Sequence, residues 1–120
     1  MIQQYIYDFL VNESGLTDNI LWGDELELES YPGIVFKRIS SPGFNQTDDK
    51  WERWRFYIIG SDQWEVDSIS GTLILTLNRM YGDMEGLYID FVQLIDVSSI
   101  EKRDDEMFSL YVDFRFLYHN

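Results

Sequence analysis

Residues 107–120 read MFSLYVDFRFLYHN and predict a β-strand that is rich in apolar residues on both of its faces. One register carries side chains typical of a core: Phe108, Leu110, Val112, Phe114, Phe116 and Tyr118. The other register mixes charged and apolar side chains: Ser109, Tyr111, Asp113, Arg115 and Leu117. A solvated sheet face usually alternates more cleanly toward polar residues, so the strand predicts a buried face and a second face that is available for assembly.

The composition indicates one soluble domain. With 120 residues the chain is predicted to form a single domain over residues 1–120. It is 45% hydrophobic and 17% aromatic, which is too apolar for a disordered chain. It has no cysteine, which excludes disulfides, thiolate metal sites and a cysteine nucleophile. Because we see no secretion signal and no long apolar run, we expect a protein that is cytoplasmic during its synthesis.

The charge is strongly acidic and evenly spread. Asp and Glu number 22 against nine Lys and Arg, which gives a formal net charge of -13. Residues 1–60 carry ten acids and five bases, and residues 61–120 carry twelve and four. This distribution argues against binding to a phosphate backbone, which needs clustered Lys and Arg.

Hydrophobic periodicity predicts six elements in the order α-β-β-α-β-β. The helices are predicted over residues 2–12 and 62–82, and the strands within residues 31–44, 51–60, 87–97 and 107–120. Residues 16–30 are interpreted as an irregular connector. The order predicts an α+β domain in which an antiparallel sheet of about four strands carries two helices on one face.

Local signals define the second helix. Asp62 and Glu65 have the spacing of a capping box, and Gly82 is predicted to end the helix. The buried stripe is predicted to contain Val66, Ile69, Leu73, Leu77 and Met80. Because Gly71 lowers helix propensity by about 1 kcal/mol, we expect another element to approach closely at that position.

The sheet face opposite the helices is the candidate subunit interface. We expect it to contain Tyr57, Ile59, Val92, Leu94, Tyr111, Asp113, Arg115 and Leu117. Scattered apolar residues on an ordinary surface are one interpretation. The alternative that we favour is that another subunit covers part of this face or of the exposed sheet edge.

A polar segment between the first two strands is predicted to be a mobile loop that becomes ordered on docking. It comprises Pro42, Gly43, Phe44, Asn45, Gln46, Thr47, Asp48, Asp49 and Lys50.

Signals for catalysis or metal binding are weak. The one histidine, His119, is second from the end, where we expect a frayed position that cannot hold a catalytic base. The acids at 48–49 and 104–106 lack the spacing of an EF-hand and are interpreted as solvated turn residues. No glycine-rich phosphate loop or GxSxG nucleophile motif occurs, although accidental carboxylate pairs stay open among 22 acids. We predict no enzyme activity, no cofactor and no metal site.

Four stretches together resemble a known family. They are YPGIVFKRISSPGF (31–44), RWRFYIIGSD (53–62), GLYIDFVQLID (86–96) and FSLYVDFRFLYH (108–119). Their order is similar to that of bacteriophage minor tail proteins of the tail-terminator, or tail-to-head joining, family. In that family an N-terminal helix precedes a Pro-containing strand with a Ser-rich end, then a strand and a helix, and the chain closes on an aromatic strand. Here those features fall at Pro32 to Ser41, Trp54 to Asp62, and Asp113 to Tyr118.

The resemblance implies a structural virion-assembly protein. Its members are expected to form a hexameric ring that stops growth of the tail tube and joins the tail to the head. The implied partners are other copies of the chain, tail-tube and head-connector proteins, and viral DNA that passes through the ring without specific binding; no membrane is implied. The implied location is the virion, and the bacterial host cytoplasm during assembly.

Two other functions stay open from the sequence. An acidic DNA mimic that inhibits a host nucleic-acid-binding protein would fit the net charge. Such a mimic should cluster acids on one face, however, and the predicted second face mixes Arg53, Arg55 and Arg115 among its acids. A tail enzyme is the third hypothesis, which a broad hydrolase screen would test.

Overall fold

The structure is a computed structural model that describes residues 2–12, 16–17, 19–23, 28, 30–44 and 50–119; within these ranges, the side chains of residues 40–44 and 50 are not described. The described residues form two helices, α1 (Ile2–Val11) and α2 (Gln63–Leu77). They also form seven strands: β1 (Ile20–Trp22), β2 (Gly33–Phe44), β3 (Lys50–Gly60), β4 (Gly82–Asp83), β5 (Tyr88–Val97), β6 (Glu101–Lys102) and β7 (Phe108–His119).

All seven strands belong to one mixed sheet. Their order is β1-β2-β3-β7-β5-β4, and β6 pairs with one end of β7. Strand β1 runs parallel to β2, and the remaining pairs are antiparallel. The prediction of an antiparallel sheet of about four strands was therefore wrong, because the chain is mostly β and its sheet is larger and mixed.

The three strands that the sequence did not reveal are β1, β4 and β6. Each is two or three residues long, which is too short to show the alternation by which a strand is recognised. The segment 20–22, interpreted as part of an irregular connector, pairs in parallel with residues 34–36 of β2. The four long strands do lie where alternation predicts them, and β7 lies in the middle of the sheet between β3 and β5.

Both helices pack on one face of the sheet and enclose the main core. The predicted stripe is confirmed, since Val66, Ile69, Leu73, Leu77 and Met80 are all buried. Beneath it lie four fully buried aromatic side chains from the central strands: Phe36, Phe56, Phe114 and Phe116. Their ring centroids are 5.5 to 6.5 Å apart, the range in which aromatic pairs attract beyond the burial of their area.

Helix α2 begins as predicted and ends earlier than predicted. The Asp62 carboxylate accepts a hydrogen bond from the Glu65 backbone N–H at 2.8 Å, and the Glu65 carboxylate accepts one from the Ser61 N–H at 2.8 Å. The helix ends at Leu77, so Gly82 does not terminate it and instead begins β4.

No described helix is long and apolar enough to cross a membrane.

The expectation for Gly71 was also wrong. A Cβ added to Gly71 would have no atom within 4 Å, so no described element of the chain approaches this position. Gly71 lies on the exposed side of α2.

Candidate subunit interface

The outer face is the side of the sheet opposite to the two helices. Cross-strand register places together on it Arg55 and Asp113, Tyr57 and Tyr111, and Gln93 and Arg115. The set from the long strands also includes Val35, Lys37, Trp51, Arg53, Ile59, Tyr88, Phe91, Asp96, Ser109, Leu117 and His119.

A buried carboxylate lies at the centre of the outer face. Asp113 is fully buried, and its oxygens accept four hydrogen bonds from two arginines of the neighbouring strand. Arg53 donates from Nε at 3.0 Å and from Nη2 at 2.6 Å, and Arg55 donates from Nε at 2.8 Å and from Nη2 at 3.0 Å. A charge without water needs such partners, and the hydrogen bond to Asp113 in turn raises the pKa of Arg55 above its usual value.

Aromatic rings hold the cations of this face in place. The Arg55 guanidinium lies 3.9 Å from the Tyr111 ring centroid, and Tyr111 meets Tyr57 edge-on with centroids 6.0 Å apart. The ammonium group of Lys37 lies 5.8 Å from the Tyr57 ring centroid. These contacts combine cation–π attraction with packing and leave the charged groups partly exposed at a fixed position.

Arg115 forms a second cation–aromatic group. Its guanidinium lies 5.3 Å from the Trp51 ring centroid and 5.9 Å from that of Phe91, and its Nη2 donates to the Gln93 side-chain oxygen. The Nε of Arg115 is buried and has no hydrogen-bond partner among the described residues. Arg115 is also directly opposite Arg53, a like-charge pair that is unfavourable in a sheet unless other groups offset it.

The centre of the outer face is basic, although the chain as a whole is acidic. Four of the nine Lys and Arg residues gather at its centre, namely Lys37, Arg53, Arg55 and Arg115. Asp113 lies among them, and Asp96 is its cross-strand neighbour on β5. Asp90 on β5 and Glu101 on β6 lie farther from the centre. A chain with a net charge of -13 thus carries a local basic patch.

Five of the predicted interface residues lie together on the outer face: Tyr57, Tyr111, Asp113, Arg115 and Leu117. Ile59 lies on the same face but is fully buried, because Leu28 and Val35 pack against it in a small second core. Tyr31 and Met107 are further partly buried members of that cluster. One end of the outer face is therefore covered by the chain itself.

The other two predicted interface residues, Val92 and Leu94, lie on the opposite side. Register shifts after Ile89, so that Phe91 pairs with Leu117 and Val92 pairs with Phe116. The extra residue of this bulge reverses the faces of β5 relative to simple alternation. Val92 consequently packs against the main core, and Phe91 takes its place on the outer face. The local sequence carries no signal for this bulge.

The edge of the sheet at β5 is largely uncovered. Beyond Tyr88 and Ile89, which pair with β4, β5 has no strand partner on its outer side among the described residues. Four of its large apolar side chains downstream are 39–43% exposed: Phe91, Leu94, Ile95 and Val97. An exposed apolar edge strand is a surface on which another chain can pair or pack.

Part of the predicted docking loop, residues 42–50, lies outside the residues that the structure describes. Residues 42–44 belong to β2, and residue 50 belongs to β3. Residues 45–49 lie outside the described residues, so the mobility of this segment stays a prediction.

His119 occupies a defined position rather than the frayed one that its place in the sequence suggested. It lies in β7, with Nδ1 2.9 Å from an Asp90 carboxylate oxygen and the ring stacked on Tyr88 at 5.2 Å between centroids. Within the described part of the chain, no group of three His, Asp or Glu residues is placed to hold a metal ion.

Comparisons with known proteins give a fold likeness and no family. No family model matches the sequence, and no curated protein matches it. Among solved structures, the fold is similar to a chain in the virion of a native gene transfer agent (GTA) particle. The TM-score is 0.74 at 7% sequence identity, over 96% of this chain and 92% of that chain. At this identity the likeness shows a shared fold.

Proposed function

We propose that the protein is a structural component of a phage-like virion, and more specifically a ring-forming tail terminator that stops tail-tube growth and joins the tail to the head. The observation that carries this proposal is the fold likeness, at a TM-score of 0.74, to a chain from the virion of a gene transfer agent particle. The likeness extends over nearly the whole of both chains, so it concerns the entire domain rather than a common substructure.

The uncovered surfaces support an assembly role. The outer face combines a basic patch with half-buried Tyr111 and Leu117, and the β5 edge exposes apolar side chains. Exposed apolar patches and uncovered strand edges are features of surfaces that contact other chains. Closure of copies into a ring would cover them on every subunit, because cyclic symmetry leaves no unmatched surface.

The proposed partners are other copies of the chain, the tail-tube and head-connector proteins, and viral DNA that passes through without specific binding. The net charge of -13 would repel the phosphate backbone and allow the DNA to slide. We propose a role without catalysis or cofactor, in the virion and, during assembly, in the host cytoplasm. The DNA-mimic alternative is not favoured, because bases gather at the centre of the outer face.

Sedimentation velocity across a concentration series, combined with negative-stain electron microscopy, tests the ring. We expect one oligomer of fixed mass that appears as a closed ring with a central opening. A protein that stays monomeric at the highest concentrations, or filaments whose mass keeps rising with concentration, would contradict the proposal.

A double variant tests whether the outer face takes part in the ring. Tyr111→Ser with Leu117→Ser should leave the circular dichroism spectrum unchanged and abolish the ring, since both side chains lie on the outer face. The matched control is Val11→Ser with Tyr81→Ser, which removes an aliphatic residue and a tyrosine at positions that are 43% and 70% exposed away from the outer face. We expect the control to assemble as wild type does. A Tyr111/Leu117 variant that folds and assembles normally would make this face ordinary surface.

A further inference from the structure

Helix α2 presents large apolar side chains to solvent on the side away from the core. Trp64 is 85% exposed and Leu75 is 69% exposed. They are eleven residues apart, which places them within about 20° of each other around the helix and about 16 Å apart along it. Ser68 and Gly71 are exposed between them. The exposed face of α2, defined by these four residues, is thus two apolar projections with a shallow gap between them.

The two helices carry acidic residues and no basic residue. Their charged residues are Asp8, Glu65 and Asp67, and Asp62 adds a fourth carboxylate at the N-cap of α2. Asp67, which is exposed, lies one turn from Trp64. The exposed face of α2 therefore has apolar side chains, with negative charge beside Trp64 at its N-terminal half and exposed Arg79 just beyond its C-terminal end.

The outer face of the sheet is complementary to the exposed face of α2 in three respects. It is basic at its centre, whereas the N-terminal half of α2 is acidic. It offers aromatic surface, from Tyr57, Tyr111 and Phe91, on which exposed apolar side chains can pack. Along β3, the outer face extends about 20 Å from Trp51 to Tyr57. This length is comparable to the distance of about 16 Å along α2 between Trp64 and Leu75.

We propose that the exposed face of α2 in one copy docks on the outer face of the sheet in the next copy. This inference rests on the proposed function and names the surfaces through which the ring would form. The two surfaces lie on opposite sides of one molecule, because the helices cover one side of the sheet and the outer face is the other. The contact is therefore head-to-tail, and it closes into a ring when the rotation between copies permits.

Unique cysteines test the contact directly, since the chain has none of its own. One protein carries Ser68→Cys on α2, and a second carries Gln93→Cys on the outer face; both positions are exposed. A short bis-maleimide reagent added to an equimolar mixture should give cross-linked heterodimers in excess over the homodimers of either protein alone. Leu21→Cys, at a 46% exposed position on β1, replaces Ser68→Cys in the control mixture and should give background cross-linking.

Each other pattern of cross-linking overturns the proposal. Ser68→Cys protein that forms mainly homodimers would indicate a helix-to-helix contact, and Gln93→Cys homodimers would indicate sheet-to-sheet packing. Equal background in all mixtures would mean that these surfaces do not meet, and that a different protein occupies them or none does.

Two assembly-deficient variants give an independent test. The first is Trp64→Ser with Leu75→Ser, and the second is Lys37→Glu with Phe91→Ser. Loss of a Trp anchor and its neighbour should weaken self-association by about tenfold or more for the first variant. When mixed, the two should form 1:1 dimers that grow no further, because one intact helix face meets one intact sheet face. Trp22→Ser, at a 58% exposed Trp on the β1 edge, is the matched control and should assemble normally.

The outcomes separate this inference from the proposed function. Rings that form without cross-linking between positions 68 and 93 would overturn the inference alone. Cross-linking between these positions in open filaments would overturn the ring and leave the contact intact. If a double variant loses its circular dichroism signal, the cross-linking experiment decides the question, because its single substitutions are at exposed positions and do not touch the core. A wild-type protein that neither assembles nor cross-links overturns both.

Discussion

Removing the Asp113 carboxylate should destabilise the fold more than almost any other single change on the outer face. Asp113 is fully buried, and two guanidinium groups converge on it through four hydrogen bonds. In an Asp113→Ala variant, Arg53 and Arg55 would lose their common partner and repel each other at close range. Arg115, directly opposite Arg53 on the next strand, would add a third positive charge.

The expected cost is about 3–5 kcal/mol of unfolding free energy, the range for removing one partner of a buried ion pair. Two effects limit it to that range. The four hydrogen bonds share one carboxylate and are not independent, and the side chains of Arg53 and Arg55 are 34% and 24% exposed, so water would partly solvate them. A domain of this size typically has about 5–15 kcal/mol in total, so the variant should fold with reduced stability.

Urea unfolding followed by tryptophan fluorescence and by circular dichroism measures this change. Asp96→Ala is the matched control, since Asp96 is the cross-strand neighbour of Asp113 on β5 and is exposed. We expect the control to change stability by less than about 0.5 kcal/mol. If Asp113→Ala also costs less than about 1 kcal/mol with an unchanged urea slope, then the carboxylate does not hold the two arginines in solution.

Two further changes test the core and its pH dependence. Leu73→Ala should lower the free energy of unfolding by about 2–5 kcal/mol, because Leu73 lies on the fully buried side of α2. Leu75→Ala, at a 69% exposed position two residues away, should change the urea midpoint little. Equal losses would mean that Leu73 does not face the core. Burial, and secondarily the neighbouring Glu52 carboxylate, raises the pKa of Tyr118 from 10.0 to about 12. The folded state therefore holds the phenol proton more tightly than the unfolded state does. The free energy of unfolding is unaffected by this group below pH 10 and falls by roughly 2–3 kcal/mol as the pH rises through 12. Urea midpoints at pH 9 and pH 11.5 should show the fall in wild type and a smaller one in Tyr118→Phe; equal falls would assign it to other groups.

Local sequence patterns predict the long elements and the side of each that is buried. Alternation over ten or more residues defines β2, β3 and β7, and helical spacing defines the stripe that includes Leu73. The cap at Asp62 could be predicted because it depends on residues three positions apart. In each of these cases the periodic signal is local and repeated, so one irregular residue does not obscure it.

The candidate site was predictable in part. Because β7 has apolar residues on both of its faces, the sequence predicts a second apolar face of the sheet. Tyr111 and Leu117 lie on that outer face as expected. What the pattern could not show is that Asp113 is buried between Arg53 and Arg55, which lie 60 and 58 positions earlier in the chain. A charge that alternates with apolar residues looks solvated until the neighbouring strand is known.

The size of the sheet, the faces of β5 and the surroundings of Gly71 depend on contacts between segments that are distant in sequence. Strands β1, β4 and β6 exist because longer strands offer them hydrogen-bonding partners, and two or three residues carry no period of their own. The bulge at Asp90 reverses Val92 and Phe91 because register is fixed jointly with β7, and a slip of one residue exchanges the two faces. Gly71 faces open space because what surrounds a helix depends on elements distant in sequence. Pairing, register and exposure are properties of two segments together, whereas the periodicity of a sequence describes one segment at a time.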